Sequence, residues 1–456
     1  MKVLFVASEI FPYAKSGGLA DVADALPEAL KEMTDISRIM PLYGFMDKKE
    51  FKKDISFSVE MAGVEYEISV YKDMKDGVWT YFIDAPMLSH TKNLYGDENG
   101  DYANNHLRFA LFCKAVLEFA IINNVELIHL NDWHTGLVAL YIKDRGLDIK
   151  TVFTIHNLAY QGVFDFNSLA QIGVSEKYFH IDALEFYLKV NFLKAGIAFS
   201  DSVTTVSPSY AKEIQTQKFG CGLDGFLKFH RKKLYGILNG INVKTNKGFD
   251  EKTLSKKYKE KSEFIKNSSL KDPRKPLFIM ISRLVEQKGI DMILKSSKEL
   301  LSKRLNLFIL GDGNEEISNA LFELSKQYDN FEFQRGYDEE LSKKLYRSGD
   351  FLLMPSLFEP CGLNQMIAMR CATIPIVHSV GGLKDSVFED ESACGSGIVF
   401  KSFTKRAFLG AVDRALELKK SKKHFDKVRK KDIECDFSFK KSALKYLEIY
   451  KNDLSC

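Results

Sequence analysis

The strongest constraint on how this chain can fold is a recurring unit: a short, continuously apolar run of strand length, then a loop, then a helix-like pattern. In the first half the runs are Val3 to Ala7, Leu127 to Leu130, Val152 to Ile155, Val203 to Val206 and Tyr235 to Leu238. In the second half they are Leu277 to Ile281, Leu307 to Leu310, Phe351 to Met354 and Ile374 to Val377. A strand that is apolar throughout, rather than at alternate positions, is buried on both faces, and strands separated by helices pair in parallel. The expectation is an α/β chain built of doubly wound parallel sheets. The segment from Phe57 to Ile83 alternates more and reads as an antiparallel hairpin region.

At 456 residues the chain has room for two or three domains of roughly 150 residues each. Between Asn242 and Pro276 the composition turns polar and Lys-rich, and a new strand begins beyond it. We read an N-terminal Rossmann-like domain over 1–242, a Lys-rich linker region with a helix of its own over 243–276, and a second Rossmann-like domain over 277–435. The Lys-rich stretch from Lys419 to Lys431 reads as a solvated helix face.

Composition excludes several classes. Lys and Arg total 65 against 61 Asp and Glu, and a net charge of +4 is too small to make nucleic acid the main partner. The most apolar helical stretch, Ala110 to Ile122, is interrupted by Lys114 and Glu118, so no membrane span is expected. The seven cysteines form no CxxC pair and no cluster at metal-ligand spacing, which points to reduced thiols, a cytoplasmic location and no metal site.

Ligands of doubly wound sheets bind beyond the carboxyl ends of the strands. The chemically distinctive residues of this chain fall at such ends. The first strand leads into Lys15-Ser-Gly-Gly-Leu, Leu130 into Asn131-Asp-Trp-His, and Ile155 into His156-Asn157. Ile281 leads into Ser282-Arg283, Met354 into Pro-Ser-Leu-Phe-Glu359-Pro-Cys-Gly, and Val377 into His-Ser-Val-Gly381-Gly382.

Each residue also has a plainer reading. Gly17 and Gly18 taken alone are a strand-to-helix connection, and Lys15 beside them adds a reason to expect phosphate. Arg283 and Lys288 suit a diphosphate leaving group, but a random pair of this kind is more often surface charge. Glu359 can accept bonds from sugar hydroxyls or complement a helix dipole. His156 ends an apolar strand, where a satisfied core histidine is the commoner case. Asp132 can bind a ligand or cap the next helix, and Trp133 reads as packing. There is no GxGxxG after the first strand and no GxxxxGK[ST], which disfavours dinucleotide binding and P-loop hydrolysis.

Taken in order along nearly the whole chain, these segments match a known family. They are Lys15-Ser-Gly-Gly-Leu-Ala-Asp21, Asn131-Asp-Trp-His-Thr-Gly, His156-Asn-Leu-Ala-Tyr-Gln-Gly, Ser207-Pro-Ser-Tyr-Ala, Gly222-Leu-Asp-Gly and Asn239-Gly-Ile. The second half adds Ser282-Arg-Leu-Val-Glu-Gln-Lys288-Gly, Pro355-Ser-Leu-Phe-Glu-Pro-Cys-Gly-Leu363 and Val380-Gly-Gly-Leu. The chain resembles bacterial glycogen synthases and plant starch synthases, retaining glucosyltransferases of the GT-B architecture. In that architecture two Rossmann-like domains face one another across a cleft.

The resemblance implies transfer of glucose from ADP-glucose to the non-reducing end of an α-1,4-glucan such as glycogen, without a cofactor. It implies that Arg283, Lys288, Glu359 and His156 carry the chemistry. Lys15, Gly17, Gly18, Asp21, Tyr337, Cys361, Gly362, Leu363, Gly381, Gly382 and Leu383 would meet the donor, with Tyr337 on the base. Asp132 and Asn157 would stand on the acceptor side. The last segment, 436–456, resembles the family's closing helix, which crosses back to the N-terminal domain. There are two departures. The position eight residues after Glu359, where many retaining enzymes of this architecture carry a second Glu, is Ile367, as is common in this family. Asn242 and a Lys-rich run follow Asn239-Gly-Ile where the family has Asp and a Trp-Asn-Pro segment. Two rivals are a retaining transferase using UDP-glucose or a small acceptor, and a silent α-glucan-binding protein of the same fold.

Overall fold

The computed structural model describes residues 1–98, 100–389 and 394–454. The chain divides into two compact units, Met1–Asn239 with the segment from Phe439 onward, and Gly240–Ser438.

In the first unit, nine strands form one sheet: β1 (Lys2–Val6), β2 (Asp35–Pro41), β3 (Lys52–Met61), β4 (Val64–Lys75), β5 (Val78–Asp84), β6 (Leu127–Asn131), β7 (Lys150–Ile155), β8 (Ser202–Thr205) and β9 (Leu234–Gly236). Their spatial order is β9-β8-β7-β6-β1-β2-β5-β4-β3. All pairings from β9 to β5 are parallel, and β3 and β4 extend the edge as the antiparallel hairpin that the alternating sequence suggests. Strand order reverses at β1, whose neighbours are β2 and β6. The carboxyl ends of β1 and β6 therefore flank the crevice where a sheet of this kind receives its ligand.

The apolar periodicity did not reveal β2, because Arg38 lies in its middle. Arg38 is buried, and its charge is met by Asp24 Oδ1 at 2.9 Å and its Nε by Thr80 Oγ1 at 3.0 Å. A buried ion pair of this kind breaks the apolar pattern without breaking the strand.

Helix α1 (Gly18–Leu30) follows the β1 loop, and α2 (Asn105–Ile122) packs Phe109, Phe112, Val116 and Phe119 inward. In the second unit the strands are β10 (Leu277–Ile281), β11 (Asn306–Gly311), β12 (Phe331–Arg335), β13 (Phe351–Met354), β14 (Ile374–His378) and β15 (Ile398–Phe400), ordered β12-β11-β10-β13-β14-β15 and all parallel. Here the order reverses between β10 and β13.

Helix α3 (Lys256–Lys266) lies in the Lys-rich stretch, and it is no solvated spacer. Lys257 is buried, and its ammonium donates to the carbonyls of Tyr346, Arg347 and Cys371 and to Thr373 Oγ1, at 2.6 to 3.2 Å. Lys261 reaches buried Asp350 at 2.6 Å. The remaining helices used below are α4 (Asn364–Arg370), α5 (Gly381–Ser386), α6 (Lys405–Lys420), α7 (Lys422–Ile433) and α8 (Lys440–Leu454). Lys419 and Arg429 correct the reading of 419–431 as a solvated face, since both turn inward onto Asp350 Oδ1 at 2.7 and 2.6 Å.

Helix α8 belongs to the first unit, where Ala443, Tyr446 and Tyr450 join Val3, Phe5 and Leu127 in one apolar core. Tyr450 Oη meets His129 Nδ1 at 2.6 Å, inside β6. The expectation of reduced thiols throughout is corrected as well. Cys394 and Cys435 are disulfide-bonded across 41 residues, because the loop after α5 runs beside the end of α7, where Ser396 N donates to Asp432 Oδ1 at 2.7 Å. Cys113, Cys221, Cys361 and Cys371 form no disulfide, and Cys456 lies outside the described residues. No helix among the described residues is long and apolar enough to cross a membrane.

Candidate functional site

In the first unit, the loop from β1 carries Lys15, Ser16 and Gly17 into α1, which starts at Gly18 with Gly17 at its N-cap and no side-chain cap. The first amides of a helix have no partner within it, so this turn presents donors and the positive end of the helix dipole. Lys15 Nζ is paired with Asp21 Oδ1 at 2.7 Å across the turn. Beneath it lies Glu9, a residue that apolar periodicity and motif reading both passed over. Its buried carboxylate accepts the backbone N–H of Ser16. Burial pushes this carboxyl above its ordinary range, and the bonds from Ser16 act against that rise. A cleft of about 520 Å³ opens beside the turn, and Lys15, Ser16, Phe45, Lys92 and Tyr95 are among the residues that line it.

Asp132 directly follows β6 in an unusual backbone conformation, with φ +58°. It neither caps the next turn nor stands open. Its Oδ1 accepts the His156 N–H at 2.8 Å, and the Asn157 N–H also bonds to it, so it ties the end of β6 to the end of β7. Burial raises this carboxyl to about 7. His156 Nε2 lies 2.8 Å from Asn131 Oδ1. Asn131 Nδ2 already donates to the Val6 carbonyl at 2.9 Å. The amide oxygen therefore faces the imidazole, Nε2 carries the hydrogen, and Nδ1 is left as an acceptor. Desolvation lowers the His156 pKa to about 3, so the ring is neutral at physiological pH. Trp133 packs as expected: a Cβ on Gly162 would come within 2.3 Å of its ring.

In the second unit, Arg283 and Lys288 lie in the loop after β10, and Glu359 in the loop after β13. Gly289 joins the two loops. It has φ +70°, and a Cβ there would sit 1.9 Å from the Pro355 carbonyl. That close approach lets Lys288 Nζ donate to both oxygens of Glu359, at 2.9 and 2.7 Å, while Ser356 Oγ donates to Oε2 at 3.0 Å. Glu359 is 5% exposed. Its carboxylate is thus spent on a cation and a hydroxyl rather than on a helix dipole.

The Glu359 carbonyl accepts the Gly382 N–H at 3.0 Å, and Gly382 is so close to Cys361 that a Cβ would lie 2.2 Å from its carbonyl oxygen. The loop holding Cys361, Gly362 and Leu363 is in this way clamped to the start of α5, where Gly381, Gly382 and Leu383 are all buried. Tyr337 follows β12, two strands along from β10, and is 71% exposed. Among the described residues, no group of three or more His, Cys, Asp or Glu could hold a metal ion.

A family profile described as the starch synthase catalytic domain matches residues 2–229, and one described as glycosyl transferases group 1 matches residues 261–432. The chain is 40% identical to a glycogen synthase of Aquifex aeolicus, over 99% of each chain. It is 37% identical to one of Geotalea daltonii, over 99% of this chain and 98% of the relative. The catalytic domain of starch synthase IV from Arabidopsis thaliana, solved bound to ADP and acarbose, superposes with a TM-score of 0.92. It is 32% identical, with 100% of this chain and 99% of that one covered. With both profiles, the full-length identity and the full-length superposition in agreement, the chain belongs to the glycogen and starch synthase family, glycosyltransferases of the GT-B fold.

Proposed function

We propose that this enzyme transfers glucose from ADP-glucose to the 4-hydroxyl of the non-reducing end of an α-1,4-glucan, with retention of anomeric configuration. The observation that carries the reading is the Lys288–Glu359 pair, a partly buried cation fixed by both oxygens of one buried carboxylate at the ligand-receiving edge of the second sheet. The ADP and acarbose of the Arabidopsis structure support an ADP-sugar donor and an α-glucan acceptor.

In this mechanism the bond between C1 of glucose and the β-phosphate oxygen breaks, and the diphosphate takes the electron pair. Arg283 and Lys288 stabilise the charge that develops there, an interaction strongest in the transition state. The acceptor hydroxyl attacks C1 from the face the diphosphate leaves, and its proton passes to the departing phosphate oxygen. Glu359 is committed to Lys288, which argues against its being a nucleophile and for direct front-face transfer. Glu359 orients Lys288 and the donor glucose, and His156 accepts a sugar hydroxyl hydrogen at Nδ1. Lys15, Asp21 and the Gly17-Gly18 amides meet the donor phosphates from the first unit. The backbones of 361–363 and 381–383 line the donor pocket, Tyr337 stacks on the base, and Asp132 and Asn157 form the acceptor-side wall. On this reading the first unit is the acceptor half and the second the donor half.

The test is nucleotide release from ADP-glucose and UDP-glucose, each with and without glycogen, with chain length followed in parallel. Glycogen-dependent ADP release with longer α-1,4 chains is the expected result. Release from UDP-glucose alone would overturn the donor, and release from neither would overturn the reaction.

A further inference from the structure

The reading above gives no role to one buried acid of the first unit. Glu9 lies three residues beyond β1, is 2% exposed, and points into the inside of the turn that leads to α1. It accepts the Ser16 backbone N–H and is bonded by the Ser16 hydroxyl as well. Its Oε1 would be 3.8 Å from a Cβ on Gly17, so it lies directly under the glycine pair. The groups facing it are Lys15 and Asp21 from the turn and α1, with Tyr43, Tyr95 and Asp132 within electrostatic range.

Two consecutive glycines leave the turn many conformations, and an anion-binding turn works only if its amides already point at the ligand. Two side-chain bonds restrict this one. The Lys15–Asp21 pair is about one-third exposed on both sides, and exposed pairs of that kind contribute little rigidity. The Glu9–Ser16 bond starts from a carboxyl group that is only 2% exposed and is made to the backbone itself, immediately before Gly17.

We propose that Glu9 is a positioning residue for the donor diphosphate: by holding the Ser16 amide it fixes the Ser16-Gly17-Gly18 turn so that the first amides of α1 face the phosphates. The proposal rests on the donor reading given above. Glu9 acts through the turn, and the predicted loss is therefore one of nucleotide affinity.

The experiment measures dissociation constants for ADP, UDP and a malto-oligosaccharide on the full chain, with steady-state KM and kcat, for the wild type, Glu9→Ala and Glu9→Gln. Glu9→Ala should weaken nucleotide binding about tenfold or more. KM for the nucleotide sugar should rise in step, and malto-oligosaccharide affinity should stay unchanged. Glu9→Gln keeps an amide oxygen to accept the Ser16 N–H and should stay within about threefold of wild type. Ser16→Pro, at an exposed position, deletes the same donor from the other side and should reproduce the Glu9→Ala defect even where Glu9→Ala folds poorly. Wild-type nucleotide affinity in Glu9→Ala or Ser16→Pro, a Glu9→Gln as weak as Glu9→Ala, or an equal loss of glucan affinity would overturn it. A wild type that binds neither nucleotide would instead overturn the donor reading on which it rests.

Discussion

Lys288 and Glu359 stand 71 residues apart in sequence, yet the ammonium of one donates to both oxygens of the other at 2.9 and 2.7 Å. The contact depends on the loops after β10 and β13 meeting at Gly289, and it fixes a cation that exposed charge would leave mobile. Removing either partner strands the other in a largely dehydrated place.

Lys288→Ala and Glu359→Ala should therefore each lower kcat by about two orders of magnitude or more. The double variant should be little worse than the worse single one, because the two act as a unit. Steady-state assays with melting curves check this, and wild-type rates in both single variants would remove the pair from the site.

Asn131 should set the charge state of His156. In the wild type the imidazole titrates near 3 and stays neutral across the working range. Asn131→Asp places a carboxylate 2.8 Å from Nε2, which favours the imidazolium and should raise that pKa toward the ordinary value. The variant should gain an acid limb in its kcat/KM profile that the wild type lacks. NMR titration of the ring locates the shift directly.

Asp132 makes a stability prediction with a definite sign. Its carboxyl titrates near 7 folded against 3.8 ordinarily, so the folded state holds the proton more tightly. This contribution to stability is full below about 3.8 and is lost as pH rises through about 7. Asp132→Asn abolishes that dependence. The stability of Asp132→Asn relative to wild type should grow between about pH 4 and 7 and level off above, measured by denaturant unfolding at each pH.

Asp350 is the anchor of the second unit. It faces Lys261, Lys419 and Arg429 and also accepts the Leu277 N–H at 2.9 Å, at the start of β10. Its nearby cations hold its carboxyl well below the usual range despite burial. Asp350→Asn leaves those cations uncompensated and should cost about 3–5 kcal/mol. Unfolding in urea measures the loss, and a change under about 1 kcal/mol would contradict the role.

Much of the fold was legible because uninterrupted apolar runs such as Leu277 to Ile281 admit few structures other than buried parallel strands. Glycines and charges at the ends of those runs marked the candidate site for the same reason: doubly wound sheets receive ligands there. The runs failed where a polar residue is buried with its partner. Arg38 hid β2, and the Lys-rich stretch concealed that Lys257 and Lys261 are core residues. In each case the compensating oxygen lies far away in sequence, so the residue alone reads as surface.

The sequence by itself determined the fold class, the family and which residue types stand at each strand end, because periodicity and local motifs are properties of neighbouring residues. Only the tertiary structure decided what those residues do to one another. Asn131 selects the proton position on His156 through a bond to Val6, 125 residues away, and Asp132 binds loops rather than capping a helix. Cys394 meets Cys435, and Glu9 holds Ser16 from inside the turn. These are consequences of desolvation and of contacts between distant segments, and desolvation exists only once the chain has closed around the group.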